Sequence, residues 1–404
     1  MKLDLGDKEF VADLVAWLQR IDDDRIASFR AVMEISPGYF PTTVFVEWNR
    51  ELKRRGLSSV QDEETPASQV GLPVGHPLDY DWRFSTPTRE FLAQIVRELP
   101  AGLVVAYLGS PTLFAELAGS DNDHRHVLID ANEAMVDALR SSGGEVHLAR
   151  LGFDTLDGVP KADFLVLDPP WYADAFVDFV TAAARIAKPA ARLVISQPTL
   201  ATRPGVGEER VRLVAAAERL GWTLDPDFSA TLRYATPHFE RLTIADQIPS
   251  IALPPDWRRG ELLSFHFTGR ATDKPPRTSG DEIDWIERVF GPVRIKLRSA
   301  GDGDLRFVAP GVDRLANVSR RDPLRERVGF WTSGNRVRTL TNVVAVGECI
   351  ALCHADLAMA RFTHLSARAH AKSVGLDPRV GAELSALLLV EYDEHVAAGY
   401  GVAG

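Results

Sequence analysis

The sequence predicts an α/β fold in which a mostly parallel sheet gathers polar residues at the carboxyl ends of its strands. Three short apolar runs, at 103–108, 127–129 and 164–167, are typical of strands that are buried on both faces. Segments with helical patterns separate them, as in chains whose strands alternate with helices. A small-residue turn or an aspartate follows each run. Because the carboxyl ends of parallel strands meet at one edge, these residues are expected at the ligand-binding edge of the sheet.

The first strands end in residues that suit a nucleotide-like ligand. Gly109 and Ser110 follow the first run and open into a predicted helix. About twenty residues later, Asp130 ends the second strand, where a nucleotide-binding half-fold places an acid on ribose hydroxyls. A third strand, at 146–149, leads towards Asp154. These four polar or small residues are therefore candidates for cofactor binding.

The segment after the run 164–167 is the most informative in the chain, and it is Asp168-Pro169-Pro170-Trp171-Tyr172. The two prolines hold the backbone before them extended, so its carbonyls are not used by a helix and are able to accept hydrogen bonds from an amine. The aromatic residues offer a face to a planar substrate, and stacking of this kind contributes on the order of 1–3 kcal/mol per base. The alternative is that the proline pair only ends the strand and turns the chain.

The remaining elements continue the alternation. A helix at 175–187 is followed by a strand at 191–198 that ends at the same edge, which places Ser196 and Gln197 near the rim of the pocket. A helix at 210–220 comes next. These elements complete the parallel part of the predicted sheet.

Two further strands, at 229–234 and 262–267, are predicted to form an antiparallel pair. The segment 234–240 is predicted to be a loop that covers the substrate. His238 and Glu240 in this loop suggest acid–base chemistry, whereas a solvated rim loop is the simpler interpretation.

The chain resembles class I S-adenosylmethionine-dependent methyltransferases with an [Asp/Asn]-Pro-Pro-aromatic motif, which include N6-adenine methyltransferases and related protein-lysine methyltransferases. The resemblance covers roughly residues 79–270. It depends on Phe84-Ser85-Thr86 with the following helix, the turn at 108–113, Ile129-Asp130, and residues 168–172. It implies a Rossmann-like class I methyltransferase sheet with S-adenosylmethionine as cofactor. The glycine-rich G-x-G-x-G turn of the family is absent.

The resemblance also implies roles for the candidate residues. The Gly109-Ser110 backbone approaches the methionine part of the cofactor, Asp130 binds the ribose hydroxyls and Asp154 accepts from the adenine amine. The segment 168–172 holds the acceptor amine. For adenine N6, the acceptors pull the amino hydrogens out of the ring plane, whereas for lysine, burial favours the neutral amine by lowering its pKa. Adenine in nucleic acid is the first expectation and protein lysine the second.

Two other functions stay open. Branched-chain polyamine synthases have a similar layout, with an acidic Gly-Asp-Asp-Asp-Leu turn where this chain has Ser110-Pro111-Thr112. Since a polyamine carries several positive charges that need carboxylates nearby, this difference disfavours aminopropyl transfer. The missing glycine-rich turn also permits a non-catalytic binding subunit with a methyltransferase fold.

Composition fits a soluble protein of more than one domain, with 404 residues, 45% of them hydrophobic and 25% charged. No apolar stretch approaches the roughly twenty residues of a membrane span. The start of the chain lacks a signal-peptide pattern, so a cytoplasmic location is expected. Cys349 and Cys353 are expected to pack as small hydrophobic residues, and no metal site is predicted.

The net charge of −10 does not indicate a general polyanion binder. The segment 288–338 nevertheless has twelve Arg or Lys against five Asp or Glu, with Phe330 and Trp331 among them. Cations interleaved with aromatic residues suit single-stranded nucleic acid, which predicts DNA or RNA as a partner. The alternative is a solvated arginine-rich face around a core strand.

The predicted organisation has three domains and two linkers. Residues 1–60 form a helical domain, either a winged-helix module that contacts nucleic acid or a packing and dimerisation element. A linker at 61–78 precedes the catalytic domain at 79–270. A second linker at 271–280 leads to an α+β domain of unknown role at 281–404.

Overall fold

A computed structural model describes residues 5–60, 71–121, 123–249, 251–269 and 285–400 of the 404-residue chain. The described residues form two compact units. The first contains those of 1–65, 82–236 and 251–279, and the second contains those of 66–81, 237–250 and 280–404. The predicted linker at 271–280 and the first part of the predicted linker at 61–78 lie outside the described residues.

The first unit begins with four helices: α1 (Leu5–Gln19), α2 (Asp23–Ile26), α3 (Phe29–Glu34) and α4 (Pro41–Arg55). The side chains of Asp22 and Ser28 accept from backbone N–H groups and so start α2 and α3. Gly56, with φ +69°, ends α4 in the left-handed conformation that glycine adopts without strain. Leu14, Val44 and other apolar residues of these helices are fully buried. Residues 5–60 are thus helical, and within them we find no β-hairpin that would form the wing of a winged-helix module.

The large sheet of the first unit has eight strands: β1 (Arg83–Phe84), β2 (Val104–Leu108), β3 (Arg125–Asp130), β4 (Glu145–Leu148), β5 (Ala162–Leu167), β6 (Ala187–Pro198), β7 (Trp222–Ala235) and β8 (Arg258–Phe267). Their spatial order is β1-β7-β8-β6-β5-β2-β3-β4. Strands β2 to β6 pair in parallel, and β8 lies antiparallel between β6 and β7. This is the strand order of a Rossmann-like class I methyltransferase sheet, so the predicted fold class is confirmed.

Five helices flank this sheet: α5 (Thr86–Arg97), α6 (Pro111–Ala118), α7 (Glu133–Leu139), α8 (Ala173–Ile186) and α9 (Val206–Arg219). Strands β2, β3 and β5 are apolar on both faces and fully buried at their centres, because helices cover the sheet. At their carboxyl ends, Asp168 N donates to Leu108 O (3.0 Å) and Gly109 N donates to Ile129 O (3.1 Å). The ends of β2, β3 and β5 are therefore bonded to one another at a single edge.

The second unit combines a small sheet with four helices: α10 (His238–Gln247), β9 (Ile286–Phe290), β10 (Val293–Leu297), β11 (Phe330–Thr332), β12 (Val337–Arg338), α11 (Val343–Ala358), α12 (His364–Ser373) and α13 (Pro378–Ala397). The sheet is antiparallel in the order β12-β11-β10-β9. Cys349 and Cys353 lie fully buried in α11, within the apolar core of this unit. In the ranges that the structure describes, no group of three His, Cys, Asp or Glu residues is arranged to hold a metal ion. Over the same ranges, none of the helices has the length and apolar character needed to cross a bilayer.

Two segments differ from their predicted roles. The described second part of the predicted linker, residues 71–78, belongs to the second unit, where buried His76 bonds to Trp331 O (3.0 Å). The predicted loop at 234–240 instead ends β7 in the first unit and begins α10 in the second. His238 and Glu240 are 4% exposed, so neither belongs to a solvated rim loop.

Several cations of the basic segment 288–338 are paired with carboxylates of other segments in the second unit. Arg294 and Lys296 pair with Asp79 of the same unit, and Arg336 pairs with Glu391 and Glu394. Phe330 and Trp331 are fully buried core residues and offer no face to a base. The interpretation of these aromatic residues as a nucleic-acid platform is therefore wrong, because burial gives them a packing role.

Three histidines of the second unit are buried as neutral rings: His76, His238 and His395. Burial lowers the pKa of each, and it lowers that of His238 to about 2. An unfolded histidine takes up a proton below about pH 6.5, whereas these rings do not, so protonation favours the unfolded chain. The stability that depends on their neutral form is complete above that pH and is lost as the pH falls.

We therefore expect the second unit to lose about 1.4 kcal/mol of stability per pH unit between about pH 6 and pH 5 on account of His238, with further losses from His76 and His395. Amide hydrogen exchange of that unit at a series of pH values measures this slope. Replacing His238 with Gln should reduce the slope, since one of the titrating groups is removed. A slope that is the same in the variant would contradict this account.

Candidate functional site

The turn after β2 is closely packed against the Asp168 segment. Gly109 has φ +66°, and a Cβ there would lie 3.0 Å from both Asp168 O and the Phe179 ring. Glycine is required on both counts, since other residues are strained at this φ and have no space. The buried Ser110 hydroxyl has no hydrogen-bond partner among the described residues. The predicted cofactor turn is thus compact and holds an unsatisfied polar atom.

Asp130 lies at the carboxyl end of β3, beside this turn. Its Oδ1 accepts from Asn132 N (2.8 Å), and the Asn132 side chain in turn accepts from Met135 N (3.3 Å) at the start of α7. Asp130 is half-buried. The carboxylate is therefore held at the strand edge by the turn that begins the next helix.

The contacts of the Asp154 side chain are with a residue of its own turn. It follows β4 in a turn where its Oδ2 accepts from Arg150 N (2.6 Å) and lies 3.6 Å from the Arg150 guanidinium. Both contacts lie within four residues of Asp154. The structure thus joins Asp130 and Gly109 through the strand ends, whereas these two contacts hold Asp154 to its own turn.

Two hydroxyl groups fix the Asp168 carboxylate at the end of β5. Tyr234 OH donates to Asp168 Oδ1 (2.8 Å), and the Ser196 hydroxyl donates to the same oxygen. Both donors are buried, Ser196 on β6 next to β5 and Tyr234 on β7, two strands beyond β6. Burial, reinforced by the Asp168 charge, raises the pKa of Tyr234 well above its ordinary value, so this phenol remains a donor. The carboxylate orientation is therefore set before any substrate binds.

The carbonyls of the proline segment differ in their partners. Pro170 O accepts from Tyr172 N (2.6 Å), where α8 begins, and Trp171 O accepts from Arg203 (3.1 Å). Among the described residues, no hydrogen bond reaches Pro169 O. The Asp168 side chain and the Pro169 carbonyl are consequently the acceptors that the segment presents to a ligand.

An aromatic cluster adjoins the carboxylate. The Trp171 ring meets Tyr234 edge-on, with ring centroids 5.4 Å apart and an interplanar angle of 89°. The Arg258 guanidinium lies 4.7 Å from the Trp82 ring, 5.4 Å from Trp257 and 5.5 Å from Trp171. Each arrangement is a cation–π contact. One cation therefore already lies against three indole rings beside Asp168.

The sequence predicted Ser196 near the pocket and the segment 234–240 over the substrate, but it did not identify Tyr234 as a partner of Asp168, nor Arg258 and Gly260 as site residues. A Cβ at Gly260 would lie 3.0 Å from Trp171 and from Tyr234, so this glycine makes room for both rings. The predicted antiparallel direction of the last strand could have identified Arg258 and Gly260, because it places the first residues of β8 at the ligand-binding edge.

No protein-family model matches the chain, and no curated protein is significantly similar to it. Solved structures do align with it. The branched-chain polyamine synthase of Thermus thermophilus, solved with N4-aminopropylspermidine and 5'-methylthioadenosine, is 14% identical, and the alignment covers 68% of this chain and 97% of that one with a TM-score of 0.48. Magnesium protoporphyrin IX methyltransferase from Synechocystis PCC 6803 is 13% identical over 45% of this chain and 78% of its own, with a TM-score of 0.31. An N-methyltransferase from Bradyrhizobium japonicum WM9 is 10% identical over 45% and 88%, with a TM-score of 0.30.

Proposed function

We propose that this protein is an S-adenosylmethionine-dependent methyltransferase that acts on an amino nitrogen, with adenine N6 in nucleic acid as the first acceptor to test. One observation carries the proposal: Asp168, oriented by Tyr234 and Ser196, lies next to the Pro169 carbonyl at the carboxyl end of β5. Two adjacent acceptors match the two hydrogens of an amino group.

The strand ends fit the proposed cofactor. The tight Gly109 turn allows close approach of a ligand to the backbone, and the unsatisfied Ser110 hydroxyl is a partner for a polar ligand atom. Asp130 would hold the ribose hydroxyls from the next strand. The cofactor would supply a methyl group already activated by its sulfonium. What remains for the protein is to position and prepare the acceptor.

The chain's own residues would prepare the nitrogen. When Asp168 and the Pro169 carbonyl accept from the two N–H groups, the amino hydrogens are drawn out of the ring plane. The nitrogen lone pair is then less conjugated with the ring and more available to attack. Tyr234 and Ser196 prevent the carboxylate from turning away, because both donate to its Oδ1. Asp168 is then placed to accept the proton that the methylated nitrogen releases.

The aromatic cluster favours a neutral, planar acceptor. Arg258 already lies against the indole faces of Trp82, Trp171 and Trp257. A lysine ammonium or a polyamine would bring a second positive charge to the same place, where like charges repel. Adenine carries no charge and stacks well on aromatic rings and guanidinium planes. This distinction supports a base ahead of protein lysine or aminopropyl transfer to a polyamine.

Calorimetric titration with S-adenosylmethionine, and separately with its decarboxylated form, tests the cofactor. Labelled methyl transfer to adenine-containing DNA and RNA, to a lysine peptide and to spermidine then tests the acceptor. Binding of the intact cofactor with transfer to adenine supports the proposal. Consumption of only the decarboxylated form would establish aminopropyl transfer instead, and binding of neither would favour a non-catalytic subunit.

Replacing Asp130 with Ala is expected to weaken cofactor binding by about tenfold or more, because hydrogen bonds to a charged group are lost. Titration of the variant with S-adenosylmethionine measures the change. Asp137→Ala is a matched control, since Asp137 is an exposed acid of the adjacent helix that pairs with Arg140. Unchanged affinity in Asp130→Ala would remove the assignment, and the same titration of Asp154→Ala tests the proposed contact to the adenine amine.

A further inference from the structure

The first unit also contains a cleft of about 1100 Å³. One wall comes from the N-terminal helical region, including Trp17 of α1 and Tyr39 of the loop between α3 and α4, and the other comes from the ends of β6, β7 and β8, including Thr199, Arg233 and Arg259. Successive residues of a strand point to opposite faces. Arg233 therefore faces away from the side of the sheet on which its neighbour Tyr234 contacts Asp168.

Arg233 and Arg259 are directly paired positions in the β7–β8 ladder. Directly opposite residues share a face with Cβ atoms roughly 5 Å apart, and like charges in such positions are destabilising. The protein nevertheless has two cations here. Arg259 is also only 4% exposed, which adds a desolvation cost to the repulsion.

The local partners neutralise this pair only in part, since the Asp256 carboxylate forms an ion pair with Arg233 whereas Arg259 bonds to carbonyls. The Arg259 guanidinium donates to the carbonyls of Glu34 (2.8 Å) and Asp256, which carry no net charge. Arg233 lies 3.5 Å from the Asp256 carboxylate and 3.5 Å from Glu34 O. Burial, followed by the nearby Arg233 charge, lowers the pKa of Arg259 to about 10, so it remains a cation at neutral pH. The pair thus retains positive charge within the cleft.

Two of the acids that line the cleft are paired with other arginines, and the third is offset by an arginine nearby. The Glu34 carboxylate pairs with Arg30 (3.3 Å), and Glu261 pairs with Arg210 (2.7 Å). Asp13 on α1 and Arg20, which directly follows that helix, both line the cleft and offset each other in charge. The floor formed by β7 and β8 therefore carries the excess positive charge.

The loop between α3 and α4 is packed closely against this floor. Gly38 has φ +126°, and a Cβ there would lie 2.3 Å from the Thr199 hydroxyl and 3.4 Å from Arg259 Cβ. The loop between α3 and α4 thus packs directly on the strand ends. On the helical wall, Trp17 and Tyr39 lie against each other with ring centroids 5.5 Å apart. A cationic floor faces an aromatic wall across the opening.

We propose that Arg233 and Arg259 bind the anionic group, a carboxylate or a phosphate, of a small ligand that lies in this cleft. The planar guanidinium is suited to both anions because it presents paired N–H donors. A bound anion would offset the repulsion between the two cations. The Trp17 and Tyr39 rings would contact the remainder of the ligand. This inference does not depend on the proposed methyl transfer.

The test is titration of the full chain with inorganic phosphate and, separately, with acetate, followed by NMR of the arginine side chains. We expect saturable binding of at least one anion in the native protein, and a loss of about tenfold or more in affinity in Arg259→Met and in Arg233→Met. Preference for phosphate or for acetate identifies the source of the anionic group. Arg212→Met is the matched control, because Arg212 is an exposed arginine of the same unit that pairs with Glu208.

Arg233→Lys and Arg259→Lys keep the charge but lose the paired donors, so each should bind more strongly than its Met counterpart and more weakly than the native protein. These variants keep the test valid if a Met variant fails to fold, which circular dichroism of each protein determines. Absence of saturable binding, or equal affinity in the native protein and the Arg259 variants, would overturn the proposal.

Discussion

Replacing Asp168 with Asn is expected to reduce methyl transfer by about a hundredfold or more while leaving cofactor affinity near its native value. The substitution keeps the shape of the side chain but removes the charge that is proposed to accept from the acceptor amine. When the amide oxygen receives the two hydroxyl donors, Tyr234 and Ser196, the NH2 group replaces the other carboxylate oxygen, and that group donates and cannot accept from an amine. Single-turnover transfer assays and calorimetry of the same variant separate the two effects.

Tyr234→Phe is the matched control for this prediction. It removes one of the two donors to Asp168 Oδ1 and keeps the ring that contacts Trp171. We expect a smaller loss of activity, about tenfold, because Ser196 still orients the carboxylate. Native activity in Asp168→Asn would contradict the assigned role. Loss of cofactor binding instead would move Asp168 from the acceptor site to the cofactor site.

The largest effect on stability is expected from Glu391→Ala, at about 3–5 kcal/mol in the second unit. Glu391 is fully buried, pairs with Arg336 (2.6 Å) and accepts from Gly334 N (3.1 Å). Its removal leaves a buried cation with fewer partners and an N–H group without its acceptor. Urea unfolding followed by hydrogen exchange of the second unit measures the loss.

Glu208→Ala provides the surface comparison, since Glu208 and Arg212 form an exposed pair. Its expected cost is about 0–1 kcal/mol. The double variant Glu391→Leu with Arg336→Met tests the cause, because replacing both members of a buried pair by apolar residues is often close to neutral. If Glu391→Ala alone proved as mild as Glu208→Ala, the buried pair would not contribute to stability as argued.

The strand ends could be predicted because each depends on a local pattern. The apolar runs before Asp130 and Asp168 identify buried strands, and parallel pairing brings their ends together. The partners of Asp168 were harder to predict. Tyr234 and Arg258 reach the site through the register of β7 and β8, more than sixty residues along the chain, and register is a property of the folded sheet.

Local patterns of charge and polarity do not predict the role of a segment whose side chains are paired or buried by distant parts of the chain. The excess of cations at 288–338 was counted within that segment, whereas their carboxylate partners include Asp79, Glu391 and Glu394, which lie outside it. Similarly, the segment predicted as a loop, 234–240, extends into α10, whose first turn contains His238 and Glu240. Both are polar residues that the fold buries, so the sequence lacks a clear amphipathic pattern there.

The second unit is assembled from three separate stretches of chain, described at 71–81, 237–249 and 285–400. Its bonds join all three: Asp79 meets Arg294, and Asn335 donates to Thr243. A ribosome completes the strands of the large sheet at residue 267, before any of the third stretch exists. The stretches 71–81 and 237–249 are therefore synthesised before the residues at 285–400 with which they pair. Because each unit is built from separate stretches of chain, a single cut or truncation cannot separate one unit intact from the other.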